Sequence, residues 1–208
     1  MRTKGTRHTI VTTEAMLSLF PEEAQNAPAG FDYLPEFLSA QEEMNLLEEI
    51  RKIPLHTFVF QGYEAKRKVA SFGYDYSFDD RALSKGKPIP EGFHDVVAKA
   101  ASALSLSIDA FAELLITEYP AGAVINWHRD APPFDVIAGI SLLSDCIFRF
   151  RPHEKMKQNR RSVISLPVMQ RSLYVIKGAA RSDWQHSIAP VRDVRYSITL
   201  RTLRKAME

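Results

Sequence analysis

Between residues 114 and 203 the chain breaks into seven short strand-like stretches, 114–119, 124–130, 136–143, 147–151, 162–166, 172–176 and 195–203, each ended by Pro, Gly, Asp or charged turns. Strands of this length and spacing point to a sandwich or barrel. They argue against a parallel sheet, whose strands need a crossover connection, usually a helix, between them. No internal repeat, GxGxxG or P-loop occurs.

The preceding half has another texture. Ser39 followed three residues later by Glu42 is a capping box. Met44, Leu46, Leu47 and Ile50 continue at helical spacing, so a helix is predicted over 39–52, stopping before Pro54. A second apolar stripe, Phe93, Val96, Val97, Ala100 and Leu104, predicts a helix over 93–106. Between them, 56–63 and 69–76 read as aromatic-rich strands with Lys66, Arg67 and Lys68 as a basic tip, and 79–92 reads as loop. Residues 1–30 read as a polar arm. The expected fold is α+β and mainly β. It forms one structural domain, with 31–112 supplying helices and a hairpin packed on a β core over 113–204.

His128-Arg129-Asp130 is the sharpest local motif. Alternate residues of a strand share a face, so His128 and Asp130 can grip one metal. A third ligand must come from elsewhere: His8, His56, His94, His153 and His186 are available, and His153 sits in a charged loop. His186 lies between Trp184 and the apolar Ser187-Ile188 step, which suits a strand entering a core. Two histidines and a carboxylate are the facial triad of non-haem Fe(II) oxygenases, which leaves coordination positions open. At the C-terminal end, 195–201 alternates strictly. Arg195, Ser197, Thr199 and Arg201 share one face; Tyr196, Ile198 and Leu200 share the other. The two arginines lie about 20 Å apart along the strand, and their side chains can converge on a small diacid. Guanidinium is the preferred bidentate partner for carboxylate.

In this combination and order the segments LLITEYPAGAVINWHRD (114–130), RSDWQHSI (181–188) and RYSITLRTLR (195–204) resemble the AlkB family of Fe(II)- and 2-oxoglutarate-dependent dioxygenases. The resemblance implies a double-stranded β-helix, jelly-roll-like, with N-terminal helices and the 66–77 hairpin as a nucleotide-recognition lid. It implies Fe(II) on His128, Asp130 and His186. It also implies 2-oxoglutarate held at its two ends by Arg195 and Arg201 with help from Tyr119, and dioxygen as oxidant. The family's two asparagines, before the tyrosine and after the first arginine, are here Thr117 and Ser197. The acid that base-repairing members carry just after HxD is replaced by Ala131-Pro132-Pro133.

The implied reaction is oxidative demethylation of an N-alkylated base, such as 1-methyladenine or 3-methylcytosine, in single-stranded DNA or RNA, with 2-oxoglutarate decarboxylated to succinate. The competing expectation is a 2-oxoglutarate oxygenase of a protein side chain or small metabolite. A base buried in a duplex must be flipped out to react, and the candidates to receive it are Phe72, Tyr74, Tyr76, Arg67 and Trp184. Trp127, on the face opposite His128, is expected in the core. Residues 149–161 carry six Lys/Arg against one Glu, and Arg149 and Arg151 are expected at the cavity mouth. Residues 1–110 hold 12 Lys+Arg and 16 Asp+Glu, and 111–208 hold 15 and 9, so the C-terminal half is basic and suits an anionic partner. The lone Cys146 is expected to be a buried, unreactive strand residue; with no signal peptide or transmembrane run visible, a cytoplasmic monomer is expected.

Overall fold

Among the residues described by the computed structural model, 27–60, 62–77 and 80–204, twelve strands form two antiparallel sheets. The expected arm over 1–30 lies outside them except for 27–30. In chain order the elements are β1 (Phe31–Leu34), α1 (Ala40–Arg51), β2 (His56–Phe60), β3 (Tyr63–Ser77), β4 (Ala82–Lys85), α2 (His94–Ala103), β5 (Phe111–Tyr119), β6 (Ile125–His128), β7 (Phe134–Leu142), β8 (Cys146–Pro152), β9 (Ile164–Val168), β10 (Leu173–Ile176), α3 (Gly178–Ser182), β11 (Trp184–Ile188) and β12 (Arg195–Leu203). The larger sheet runs β1-β10-β7-β12-β5-β3-β2, with β4 on β3; the smaller runs β6-β11-β8-β9. This is the jelly-roll core expected of the sequence. No helix among the described residues is long and apolar enough to cross a membrane.

The larger sheet is buried on both faces, and the period-2 alternation of its strands decides which residue meets which layer. Leu114 and Ile116 of β5, and Ile198 and Leu200 of β12, pack with Leu46, Ile50, Val96 and Ala100 of the helices. Their alternating neighbours Glu113, Thr117, Tyr119, Arg195, Ser197 and Arg201 face the other way, towards the smaller sheet. A second apolar cluster, with Phe31, Phe134, Phe148, Phe150 and Tyr174, fills the space between sheets. Gly139 of β7 is needed there, because a Cβ would lie 2.1 Å from the Tyr174 ring.

α1 begins as the capping box requires: Ser39 Oγ accepts from the Glu42 amide at 3.2 Å, and Glu42 Oε2 accepts from the Ser39 amide at 2.7 Å. The other Glu42 oxygen accepts from Lys99 Nζ of α2 at 2.5 Å, tying the two helices together. Partial burial pushes the Glu42 carboxyl up, but the Lys99 ammonium and the Ser39 hydrogen bonds outweigh it and hold it at about 2.

The aromatic-rich region differs from expectation in three ways. Lys66, Arg67 and Lys68 are not a tip: they lie within the 15-residue β3, and the turn to β2 comes earlier, next to Gly62. Three charges in a row look like a turn in sequence, yet β3 pairs with β5 from Lys68 to Gly73 and is part of the core sheet. The second difference concerns Phe72. It does not share a receiving face with the tyrosines but is buried in the helix-side cluster, whereas Tyr76 packs against the inter-sheet cluster. Gly73, at φ +86°, breaks the alternation between them. Its missing side chain is required, since a Cβ would sit 2.1 Å from the Ala112 carbonyl oxygen. Thirdly, within the expected 79–92 loop, β4 pairs with the end of β3 from Tyr74 to Ser77.

Candidate active site

β6 and β11 are adjacent, and their register sets His128 directly opposite His186. The two rings meet edge to face with centroids 4.2 Å apart. β6 ends at His128, so Asp130 enters from the loop that follows. Its Oδ2 comes within 3.4 Å of His186 Nε2. One ligand atom from each of the three residues lies within 4.8 Å of the others, and no other such cluster occurs among the described residues.

The protonation states suit a cation. The Asn126 carbonyl accepts from His128 Nδ1 at 2.8 Å, which puts the proton on Nδ1 and leaves the Nε2 lone pair free. Burial, then the neighbouring His128, pushes His186 down to about 3, so its imidazole is neutral. Phe148 stacks on the His186 ring at 5.3 Å and fixes its plane. Burial alone would raise the Asp130 carboxyl; Arg201, both imidazoles and Arg181 reverse that and hold it well below the usual carboxylate range. Asp130 Oδ2 is buried without a hydrogen-bond partner. A buried carboxylate oxygen with no donor, beside two neutral imidazoles, fits a divalent metal with N,N,O donors.

A row of side chains runs across the larger sheet opposite this cluster. Tyr119 pairs with Arg195, and Thr117 with Ser197, which pairs in turn with Ser141. Arg195 is fully buried. Its Nε donates to Ser141 Oγ at 2.9 Å and its guanidinium lies 4.9 Å from the Tyr119 ring centroid. Both Nη atoms are buried and unpartnered. Such a group calls for an anion, and a carboxylate fits it.

Arg201 is placed differently. It donates to Glu113 Oε2 at 2.6 Å and to Asp130 Oδ1 at 2.8 Å, so its guanidinium bridges the two acids. Ser71 donates to the other Glu113 oxygen at 3.0 Å. Glu113 was missed in the sequence, although it continues the odd-numbered set that carries Thr117 and Tyr119. Arg181 was missed as well. From α3 it donates to the carbonyls of Asp130 (2.9 Å), Ala131 (2.8 Å) and Phe134 (3.2 Å), shaping the loop that presents Asp130. Its position in a five-residue helix leaves no periodic trace.

Of the residues expected to receive substrate, Arg67 lies on β3. It stands one position beyond the Lys68–Glu118 pair, beside Tyr119, with its guanidinium 4.0 Å from the Phe58 ring centroid. Burial, more than the opposing influence of Tyr119, lowers its affinity for a proton. It contributes in turn to the depression of His128. Trp184 shares the His186 face and is half-buried against the inter-sheet cluster. Tyr76 borders that cluster and Tyr74 does not. Arg149 and Arg151 are not at the mouth. Phe148 and Phe150 take the inward positions of β8, which turns both arginines to the outer face of the smaller sheet. Trp127 is outside both apolar clusters and meets those arginines there instead of joining the core.

A family model described as the 2OG-Fe(II) oxygenase superfamily matches residues 30–204. The tRNA (carboxymethyluridine(34)-5-O)-methyltransferase ALKBH8 of Mus musculus is 28% identical over 186 residues, covering 82% of this chain and 27% of its own length. The Alkylated DNA repair protein ALKBH8 homolog of Arabidopsis thaliana is 28% identical over 211 residues, covering 84% of this chain and 58% of its own length. The chain thus spans about a quarter of the mouse relative and somewhat over half of the plant one. The solved structure of OsALKBH1 superposes with a TM-score of 0.67 at 15% identity, over 85% of this chain and 97% of that one, a likeness of fold. With the triad, the orphaned buried arginine and the jelly roll in place, the chain belongs to the 2OG-Fe(II) oxygenase superfamily, with a site fitted to Fe(II) and 2-oxoglutarate.

Proposed function

We propose that this dioxygenase removes N-alkyl groups from bases of single-stranded or flipped-out nucleic acid. The observation that carries this reading is Arg67. It is a guanidinium with no carboxylate partner among the described residues, beside Tyr119 at the end of the β3–β5 ladder and close enough to His128 to act on its charge. The relatives named for tRNA and for alkylated DNA support the same substrate class.

When bound, the iron with 2-oxoglutarate and dioxygen supplies the oxidation. For an N-methyl group that chemistry would yield the free base and formaldehyde, with 2-oxoglutarate and dioxygen consumed to succinate and carbon dioxide. The chain's own residues do the rest. His128, Asp130 and His186 would hold the metal, Arg195 one carboxylate of the diacid, and Thr117 and Ser197 line the wall beside it. Arg201 keeps Asp130 ionised and oriented, and Arg181 fixes the loop that carries it. Arg67 donates to a carbonyl oxygen on the base. Of the two bases first considered, 3-methylcytosine carries such an oxygen and 1-methyladenine does not, so the first is the better substrate.

The test is mass spectrometry of single-stranded DNA and RNA oligonucleotides carrying one 3-methylcytosine or 1-methyladenine, incubated with Fe(II), 2-oxoglutarate and ascorbate, with succinate followed in parallel. Loss of the methyl group with matching succinate, abolished by His128→Ala, is expected. The second reading, oxidation of a protein side chain or metabolite, is favoured by Ala131-Pro132-Pro133 where base-repairing members carry an acid. Succinate formation with intact oligonucleotides would select it.

A further inference from the structure

The face of the smaller sheet turned away from the triad carries an arrangement for which the oxidation has no use. The guanidinium of Arg151 lies 4.6 Å, and that of Arg149 5.2 Å, from the Trp127 ring centroid. The contact reaches from β6 to β8 across β11, where Ser187 is small and fully buried. Ser187 Oγ accepts from Arg149 Nε at 3.0 Å, and Gln185 Oε1 accepts from Arg151 Nε at 2.7 Å. Each guanidinium is therefore fixed through its Nε and its flat face, while its Nη edge stays uncommitted. Neither forms an ion pair with a carboxylate among the described residues, and both are half-buried. Residues 153–161, which follow, add four Lys/Arg against one Glu. That Glu154 is already matched by Lys157 at 2.6 Å.

Two immobilised, unpaired cations stacked on an indole are poor filling for a sheet face but a good receiver for phosphate and for unpaired bases. The location suits the reaction. β6 is the end strand of its sheet, and its consecutive residues Trp127 and His128 point to opposite sides. A strand crossing that edge can leave its backbone outside while one nucleotide turns inward to the triad. We propose that the outer face built by Trp127, Arg149, Arg151, Gln185 and Ser187 docks the backbone of a single-stranded nucleic acid. The Nη edges take phosphate oxygens and the indole–guanidinium stack supports a neighbouring base. This rests on the reading of the substrate as a nucleic-acid base.

The test uses the full chain and a fluorescently labelled, unmodified oligodeoxythymidylate, with anisotropy read across a salt series. Phosphate contacts on a single strand give a slope of about −0.7 per contact in log K against log salt. The Arg149→Gln/Arg151→Gln protein should bind at least about tenfold more weakly and lose about 1.4 from that slope. Trp127→Leu, which keeps both cations, should bind about fivefold or more weakly with the slope retained. Thermal melting by circular dichroism shows that each variant is folded. Lys177→Ala is the control, since that cation is paired with Asp32 at 2.7 Å. It should leave affinity as it was.

Unchanged affinity and slope in the double variant would overturn the docking surface. So would displacement of the oligonucleotide by polyglutamate as readily as by oligodeoxythymidylate, because an acidic protein surface would then serve equally well. The two proposals fail separately. A wild type that binds through this face and never dealkylates sinks the function; one that dealkylates with the same kcat/KM in the double variant sinks the docking surface.

Discussion

Arg195 enters the interior with one hydrogen bond, to Ser141, and two bare Nη atoms; Arg201, six residues on, enters with both Nη atoms already bonded to acids. Removing them should therefore fail differently. Arg195→Leu should raise the KM for 2-oxoglutarate about 100-fold, the equivalent of roughly 3 kcal/mol of charge-assisted pairing, while leaving metal affinity nearly intact. Arg195→Lys should recover only part, since an ammonium lacks the fork. Succinate production against 2-oxoglutarate concentration measures both. Glu113→Gln acts through Arg201, which would then bear on Asp130 alone and make that ligand less basic. Anaerobic Co(II) titration should show about tenfold weaker binding, in the range known for residues that orient metal ligands. Strict alternation over 195–201 was enough to place both arginines on the interior face. The sharing of Arg201 between Glu113 and Asp130 was not readable, because the partners lie 88 and 71 positions away and meet only once strand order and register are known.

The helices were legible at the level of elements because their signals are local. Ser39, Glu42 and the apolar stripe announce α1 within a dozen residues. The long β3 was not, because one strand serves three neighbours, β2, β5 and β4, and changes face midway at Gly73. Gly73→Ala forces φ +86° on a residue with a side chain and drives Cβ into the Ala112 carbonyl. It should cost at least about 2 kcal/mol, visible as a Tm lowered by about 4–8 °C. Gly62, at φ +77° with no atom within 4 Å of an added Cβ, should cost about 1 kcal/mol. The Glu42–Lys99 tie predicts a pH effect. Its folded carboxyl, at about 2, lies below the ordinary 4.5, so the stabilisation is complete above pH 4.5 and is lost as the pH falls towards 2. Urea midpoints between pH 5 and pH 2 should fall more gently in Glu42→Gln than in wild type.

In the whole molecule, the residues proposed to hold the metal and the diacid belong to different sheets: His128 and His186 to the smaller, Arg195 to the larger. Filling the site therefore joins the two layers. Mn(II) with 2-oxoglutarate, together at about 100 times the joint dissociation constant, should stabilise the fold by about 2.7 kcal/mol. That corresponds to a rise of roughly 5–10 °C in Tm; Arg195→Leu should keep the share due to Mn(II) and lose the share due to the diacid. The same sheet architecture sets what can enter. β3 is laddered to β5 from Lys68 through Gly73, and it carries Arg67 just beyond the ladder. Headroom above the triad is then a dimension of the scaffold, like the jaw opening of a calliper, rather than the reach of a swinging flap. Accepting bulkier substrates would take a re-twisted core strand, and tolerance for substrate size and stability of the jelly roll are bound to change together.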